Sequence, residues 1–164
     1  MVDTKRVPGV VIGLVVDVED PESMGRVKVK FPWLTGEPVS AWCRIVTPMA
    51  GEEHGFYFAP ELGSEALIAF NQGDFDYPYI IGYMWNKDTP LPGTDLPQRI
   101  IKSVSGNLII LDDTDGDEGI RIEDKHGNSI VMNQDGIAIT SASKISIEAS
   151  GELKAVGDPI QLNP

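Results

Sequence analysis

The sequence predicts an all-β protein: an N-terminal five-stranded barrel of the OB type, followed by a C-terminal intertwined β-helix that needs three copies of the chain. Three observations lead there. No window of a dozen residues sets apolar side chains at helical spacing among strong helix formers. Short alternating segments follow one another instead, each ended by Gly, Pro, Asn or Asp. All 12 aromatic residues lie before residue 86, so the first half can build a conventional core and the second half cannot.

The elements follow in order. "GVVIGLVVDV" (9–18) and "RVKVKF" (26–31) flank the turn "EDPESMG", and Val27, Val29 and Phe31 alternate with basic residues. That pattern is a hairpin with one wet face. "SAWCRIV" (40–46), "EALIAF" (65–70) and "PYIIGYM" (78–84) supply three more strands, and five strands in 1–85 suit a small closed barrel. "NKDTPLPGTDLP" (86–97) holds three prolines and a glycine, so 86–98 reads as a linker.

From Arg99 to the end of the chain, 99–164, the rhythm changes. "RIIKSVSGNLIILDD" reads as a hairpin, and then apolar residues come in pairs two apart. The pairs are Ile120/Ile122, Ile130/Met132, Ile137/Ile139, Ile145/Ile147, Leu153/Ala155 and Ile160/Leu162. Such spacing describes a quasi-regular array of short strands with tight turns. Eleven large apolar side chains on one face, with no aromatic and no helix to cover them, form an open sheet that folded monomers avoid. Three copies around one axis would turn Ile120, Ile122, Ile130, Met132, Ile137, Ile139, Ile145, Ile147, Leu153, Ile160 and Leu162 into a closed core.

Composition narrows the function classes. A hydrophobic fraction of 41% argues against disorder. The net charge of −12 is spread over both halves, which lowers the expectation of nucleic-acid binding. Cys43 has no cysteine partner, as in proteins assembled in a reducing compartment. No apolar run reaches the roughly 20 residues of a bilayer-spanning helix. The opening "MVDTKRVPGVVIGLVVDVED" mimics a signal peptide but lacks a small-residue cleavage site, and reads as a strand.

Chemistry-bearing motifs are sparse, and no cofactor or metal is expected. His54 and His126 lie far apart, neither beside a cysteine or a second histidine, and read as loop residues. "DDTDGDEG" (112–119) resembles a calcium loop, yet in that register the first and twelfth ligand positions are Leu111 and Ile122. It reads as a solvated acidic turn. Tyr77, Tyr79, Tyr83 and Trp85 could stack on sugars or bases, and read rather as barrel core with a partner-facing side.

"VVDVEDPESMGRVKVKFPWL" (15–34) and "AWCRIVTPMAGEEHGFYFAPELGSEALIAFNQGDFDYPYIIGYMW" (41–85) resemble the OB domain of the contractile-tail spike family. That family includes phage baseplate assembly protein V and the VgrG proteins of type VI secretion. The shared elements are D-P-x-x-x-G-R-V-K-V, W-x-R, P-x-x-G before a strand, and F-x-x-G-D-x-x-x-P-Y-I-I-G. The likeness continues in S-G-N-x-I-x-L-D-D and G-x-P-I-x-L-N downstream. It implies a homotrimer made in the cytoplasm. Its three OB domains would form a collar with hub and tube proteins, and its needle would pierce a target-cell envelope. Some members carry a lysozyme or effector domain, for which 164 residues leave no room, so a non-enzymatic role is expected. Some end in an H-x-H iron tip, which this chain lacks; a separate PAAR-repeat tip protein is the expected cap. Two other readings stay open: a tailspike-like trimer that binds or cleaves carbohydrate, and an OB-fold oligonucleotide binder, which the charge disfavours.

Overall fold

The computed structural model describes residues 6–93 and 97–161, in two compact units spanning 1–90 and 91–164. Both are built of strands. The first unit contains β1 (Val10–Asp17), β2 (Lys28–Lys30), β3 (Arg44–Ile45), the short hairpin β4 (Ala50–Gly51) and β5 (His54–Gly55), β6 (Glu65–Phe70) and β7 (Pro78–Met84). Five of them form one sheet in the order β2-β1-β6-β7-β3, antiparallel except where β3 runs parallel to β7. Val27 and Cys43 exchange two backbone bonds of 3.1 and 2.7 Å, which join the residue before β2 to the residue before β3. The two borders of the sheet meet there.

The core follows the alternation in the sequence. Val15, Val27, Val29, Phe31, Ala66, Ile68, Phe70 and Ile80 point inward and are buried. Phe31, Phe70 and Phe75 gather at one end with ring centroids 5.1–6.0 Å apart. Gly13 interrupts β1 because a Cβ there would lie 2.6 Å from Ile68 Cδ1 and 3.1 Å from the Lys30 carbonyl.

Two expectations need correction. The seven-residue strand expected over 40–46 shrinks to Arg44–Ile45. Its first part instead uses the buried Ser40, whose Oγ accepts the Val29 N–H at 3.0 Å while its own N–H reaches the Val29 carbonyl at 2.8 Å. A side chain has taken over a ladder position. The aromatics in and flanking β7 do not fill the core. Ile80 does, while Tyr77, Tyr83 and Trp85 are exposed and Tyr79 is half-buried. The β4–β5 hairpin went unforeseen because "AGEEHG" carries turn residues and no strand formers.

The second unit is a five-stranded antiparallel meander of β8 (Gln98–Lys102), β9 (Leu108–Asp112), β10 (Gly119–Glu123), β11 (Ser129–Asn133) and β12 (Gly136–Thr140). Each strand has five residues and pairs in register with the next. Beyond Thr140 no strand occurs among the described residues. The strands expected at Ile145/Ile147, Leu153/Ala155 and Ile160 therefore do not form in the single chain, and Leu162 lies outside the described residues. The reason is physical: a short strand exists only with a neighbour to receive its backbone bonds, and β12 is the last in-chain edge.

Candidate assembly surface

The registers fix which side chains share a face. On one face of the meander, one row runs Ile101, Ile109, Ile122, Ile130, Ile139; the next runs Arg99, Leu111, Ile120, Met132, Ile137. Nine of those ten are aliphatic or Met. The opposite face mixes Gln98, Lys102, Asp112, Arg121, Glu123, Ser129, Asn133 and Thr140 with Ile100, Leu108, Ile110, Val131 and Ala138. Among the described residues this apolar face stays open, increasingly so toward β12: Ile130 is 37% exposed, Ile139 60% and Ile137 72%.

Six residues singled out in the sequence, Ile120, Ile122, Ile130, Met132, Ile137 and Ile139, thus come together on this face. Ile145 borders the groove along the isoleucine row. Ile147, Leu153 and Ile160 are exposed on chain without strand structure. Sequence reasoning missed Ile101, Ile109 and Leu111, which sit beside other apolar residues in "RIIK" and "LIIL". Reading "RIIKSVSGNLIILDD" as a separate hairpin hid them.

The strands are held in register by a duplicated turn. "KSVSGNLIILDD" (102–113) and "EDKHGNSIVMNQ" (123–134) are offset by 21 residues, with Gly106 and Gly127 both at positive φ. In the first turn Ser103 Oγ accepts the Asn107 N–H at 3.0 Å; in the second, Asp124 Oδ1 accepts the Asn128 N–H at 2.9 Å. Each asparagine then reaches the following turn. Asn107 Oδ1 accepts the Lys125 N–H at 3.3 Å, and Asn128 Oδ1 accepts Ser141 Oγ–H at 2.8 Å and the Ala142 N–H at 3.1 Å. Bonds from the Asn128 backbone and side chain, with one from the His126 N–H, hold the Asp124 carboxyl below its ordinary range. Asp112 is lowered likewise, first by the Thr114 hydroxyl and N–H and then by Gln98. The acidic run so begins in an Asx turn.

The first unit carries its own ordered loop. Asp20, its side chain 3% exposed, accepts the N–H groups of Glu22, Met24 and Arg26 and pairs with the Arg26 guanidinium at 2.7 and 3.0 Å. The guanidinium bonds hold its carboxyl far below the usual carboxylate range. This is what D-P-x-x-x-G-R encodes. Beside that loop, Met24, Met49, Phe56, Tyr57, Phe58 and Tyr83 line an apolar groove. Tyr83 is 42% exposed, yet the groove walls desolvate its hydroxyl and push the phenol up to about 12, with Cys43 and Tyr57 adding to the shift. Cys43 is buried among core residues, which raises its thiol pKa, and Ser40 Oγ lies 3.3 Å from its sulfur.

Residues 11–85 match the family model of the type VI secretion system/phage-baseplate injector OB domain, and residues 98–156 match that of the phage baseplate V C-terminal trimerisation domain. Among curated proteins, the chain is similar to the type VI secretion system spike proteins VgrG1a and VgrG5 of Pseudomonas aeruginosa. Identity is 31% to each, over 74% and 68% of this chain but only 20% and 14% of those relatives. It is also 36% identical, over 60% of its length, to the actin cross-linking toxin VgrG1 of Vibrio cholerae, of which the match spans 10%. The chain thus spans a fifth or less of the curated relatives it matches. With an injector OB domain followed by a trimerisation domain, the chain belongs to the phage baseplate V and VgrG spike family.

Proposed function

We propose that three copies of this chain form the central spike of a contractile injection machine, a non-enzymatic part that leads the inner tube through a target-cell envelope. One observation carries the proposal. Two rows of apolar side chains, Ile109, Ile122, Ile130 and Ile139 beside Leu111, Ile120, Met132 and Ile137, share one face of a sheet inside a region matching a trimerisation domain, all exposed except the half-buried Met132. Apolar rows of this kind close against copies of themselves.

The proposed needle has two stretches. Over 98–140 each chain pairs its own strands and contributes one side of a prism. Over 141–161 the backbone pairs with neighbouring copies, so that Ile145, Ile147, Leu153 and Ile160 continue the core inward, with Leu162 after them. Interlocked chains with no free edges resist unfolding along the axis, as a part pushed through an envelope must. The OB units form a collar that meets hub and tube proteins, and a separate PAAR-repeat tip protein caps the C-terminal end. The particle is assembled from chains made in the cytoplasm.

Light scattering on the purified chain tests this directly. Three chain masses are expected, and one chain mass at micromolar concentration refutes the spike. A cryo-electron microscopy map of the assembled particle tests the cap: density beyond the C-terminal segment is expected, and its absence removes the tip protein from the proposal.

A further inference from the structure

The run 112–118 carries five acidic residues and no basic one. It lies at one end of the five-stranded sheet, because the connections of a meander alternate between its two ends. One end carries the loops 113–118 and 134–135; the other carries the turns 103–107 and 124–128 and the segment 141–144. The charges sort with the ends. Lys102, Lys125 and Lys144 are exposed at the turn end, and among the described residues none has a carboxylate within ion-pairing distance. The acids at that end are engaged: Asp124 within its own turn, and Glu123 3.6 Å from Arg121 Nε. At the loop end Asp115, Asp117, Glu118 and Asp135 are exposed, and among the described residues none of them has a cation within ion-pairing distance; Arg99 is taken by Asp113, and Arg121, which shares a pocket with Asp117, pairs with Glu123.

We propose that the three copies close head to tail at these ends, the lysine end of each sheet clasping the acidic end of the next. The inference rests on the trimer proposed above and adds how it closes. Closure of identical units around a threefold axis is heterologous, so unlike borders must meet. Two pairs of borders are available. Joining β8 to β12 would make a fifteen-stranded barrel, whose wide lumen aliphatic side chains cannot fill. Joining the two strand ends makes a three-sided prism instead. Five residues span about 16 Å, and a prism of that side sets its axis about 5 Å from each sheet, half the usual separation of packed sheets. The aliphatic rows then meet on the axis, and three lysines face four carboxylates at every corner. Such rim charges select the closing geometry and disfavour like-on-like contact more than they hold the trimer together.

Carbodiimide coupling of the unmodified protein tests the arrangement, because it joins an amine to a carboxylate only when the two touch. Within one chain the two ends stand about 16 Å apart, so a Lys125–Asp117 link joins different copies. Expected are covalent species of up to three chains, with peptide mapping that connects Lys102, Lys125 or Lys144 to residues 115–118 or Asp135. In parallel, the Lys102→Glu, Lys125→Glu, Lys144→Glu variant should dissociate several degrees earlier at low salt and at the wild-type temperature in 1 M salt, where the Debye length is about 3 Å. Adding Asp115→Lys, Asp117→Lys and Glu118→Lys to the same chain should restore the low-salt midpoint. A three-chain particle that couples only at other sites, or whose low-salt midpoint ignores the lysine reversal, overturns the head-to-tail clasp. A wild-type mass of one chain overturns the trimer itself.

Discussion

Ile139→Asp separates assembly from folding. Ile139 sits on the last in-chain strand, opposite Ile130, and is 60% exposed in the single chain. In a monomer the substitution touches almost nothing, and a surface change of that kind costs within about 0.5 kcal/mol. In the proposed trimer it acts three times around one axis. Each copy loses an apolar burial of about 1.5–3 kcal/mol. Each also places a carboxylate among aliphatic side chains with no cation to receive it, at several kcal/mol. The sum exceeds about 10 kcal/mol per trimer, or roughly seven decades in the dissociation constant at 1.4 kcal/mol per decade. Light scattering and circular dichroism together report the outcome: one chain mass with the strand signal of the OB unit kept. Ala138→Asp is the matched control, since Ala138 pairs with Val131 on the opposite face. An Ile139→Asp protein that stays trimeric, or an Ala138→Asp protein that falls apart in its place, would show that the inward face has been assigned backwards.

Three further outcomes concern the OB unit. Gly13→Ala brings a methyl within 2.6 Å of Ile68 Cδ1 and should cost about 1–3 kcal/mol, read as a lower urea midpoint at unchanged slope. Ser40→Ala removes the acceptor of the Val29 N–H in a buried setting, for a loss of about 1–3 kcal/mol by the same measurement. Asp20 gives the sign of the acid response: its carboxyl is held down by Arg26, so its contribution is complete above the unfolded value near 4 and is lost as pH falls below it. Asp20→Asn should therefore be less stable at pH 7, and its stability should fall less steeply than wild type between pH 4 and 2 in a pH series of thermal melts.

The alternations Val27/Val29/Phe31 and Ala66/Ile68/Phe70 were readable because each inward residue meets its partners inside one chain, so period two in the sequence is period two in the core. Phe31 needed nothing beyond that, whereas Ile80 was hidden, because the aromatics at alternate positions around it carry the stronger apolar signal and a bulge in the β6–β7 pairing shifts the alternation. Ser40 was not legible, since a serine in "SAWCRIV" signals nothing until the Val29 N–H is seen to lack another acceptor. The apolar face of the meander was legible from β10 onward and was cut short at β8 and β9. There "RIIK" and "LIIL" are apolar at consecutive positions, so alternation gives no choice of face, and only pairing of Ile101 with Ile109 and of Ile109 with Ile122 decides it. The asparagine links were hidden for another reason. Asn107 and Asn128 act on residues 18 and 14 positions away, a separation set by strand length and loop length together.

Those asparagines also bear on how far a single chain can order itself before company arrives. Asn128 Oδ1 fastens Ser141 and Ala142 to the turn at 124–128, so the chain leaves β12 at a defined place even though 143–161 finds no strand partner of its own. Asn128→Ala leaves the Ala142 N–H to water, leaves the Ser141 hydroxyl only the Lys144 carbonyl at 3.2 Å, and takes one donor from Asp124, a loss of about 1 kcal/mol per bond with the strand pairing of the meander intact. Its larger effect falls on assembly. Chains that enter the intertwined stretch from a loose exit must fix extra backbone dihedrals at about 1–2 kcal/mol per residue, in three copies at once. The variant should refold to trimer more slowly than wild type, with monomeric secondary structure regained at an unchanged rate in stopped-flow circular dichroism. Equal trimerisation rates for the two proteins would mean that the turn bonds decorate the exit without directing it.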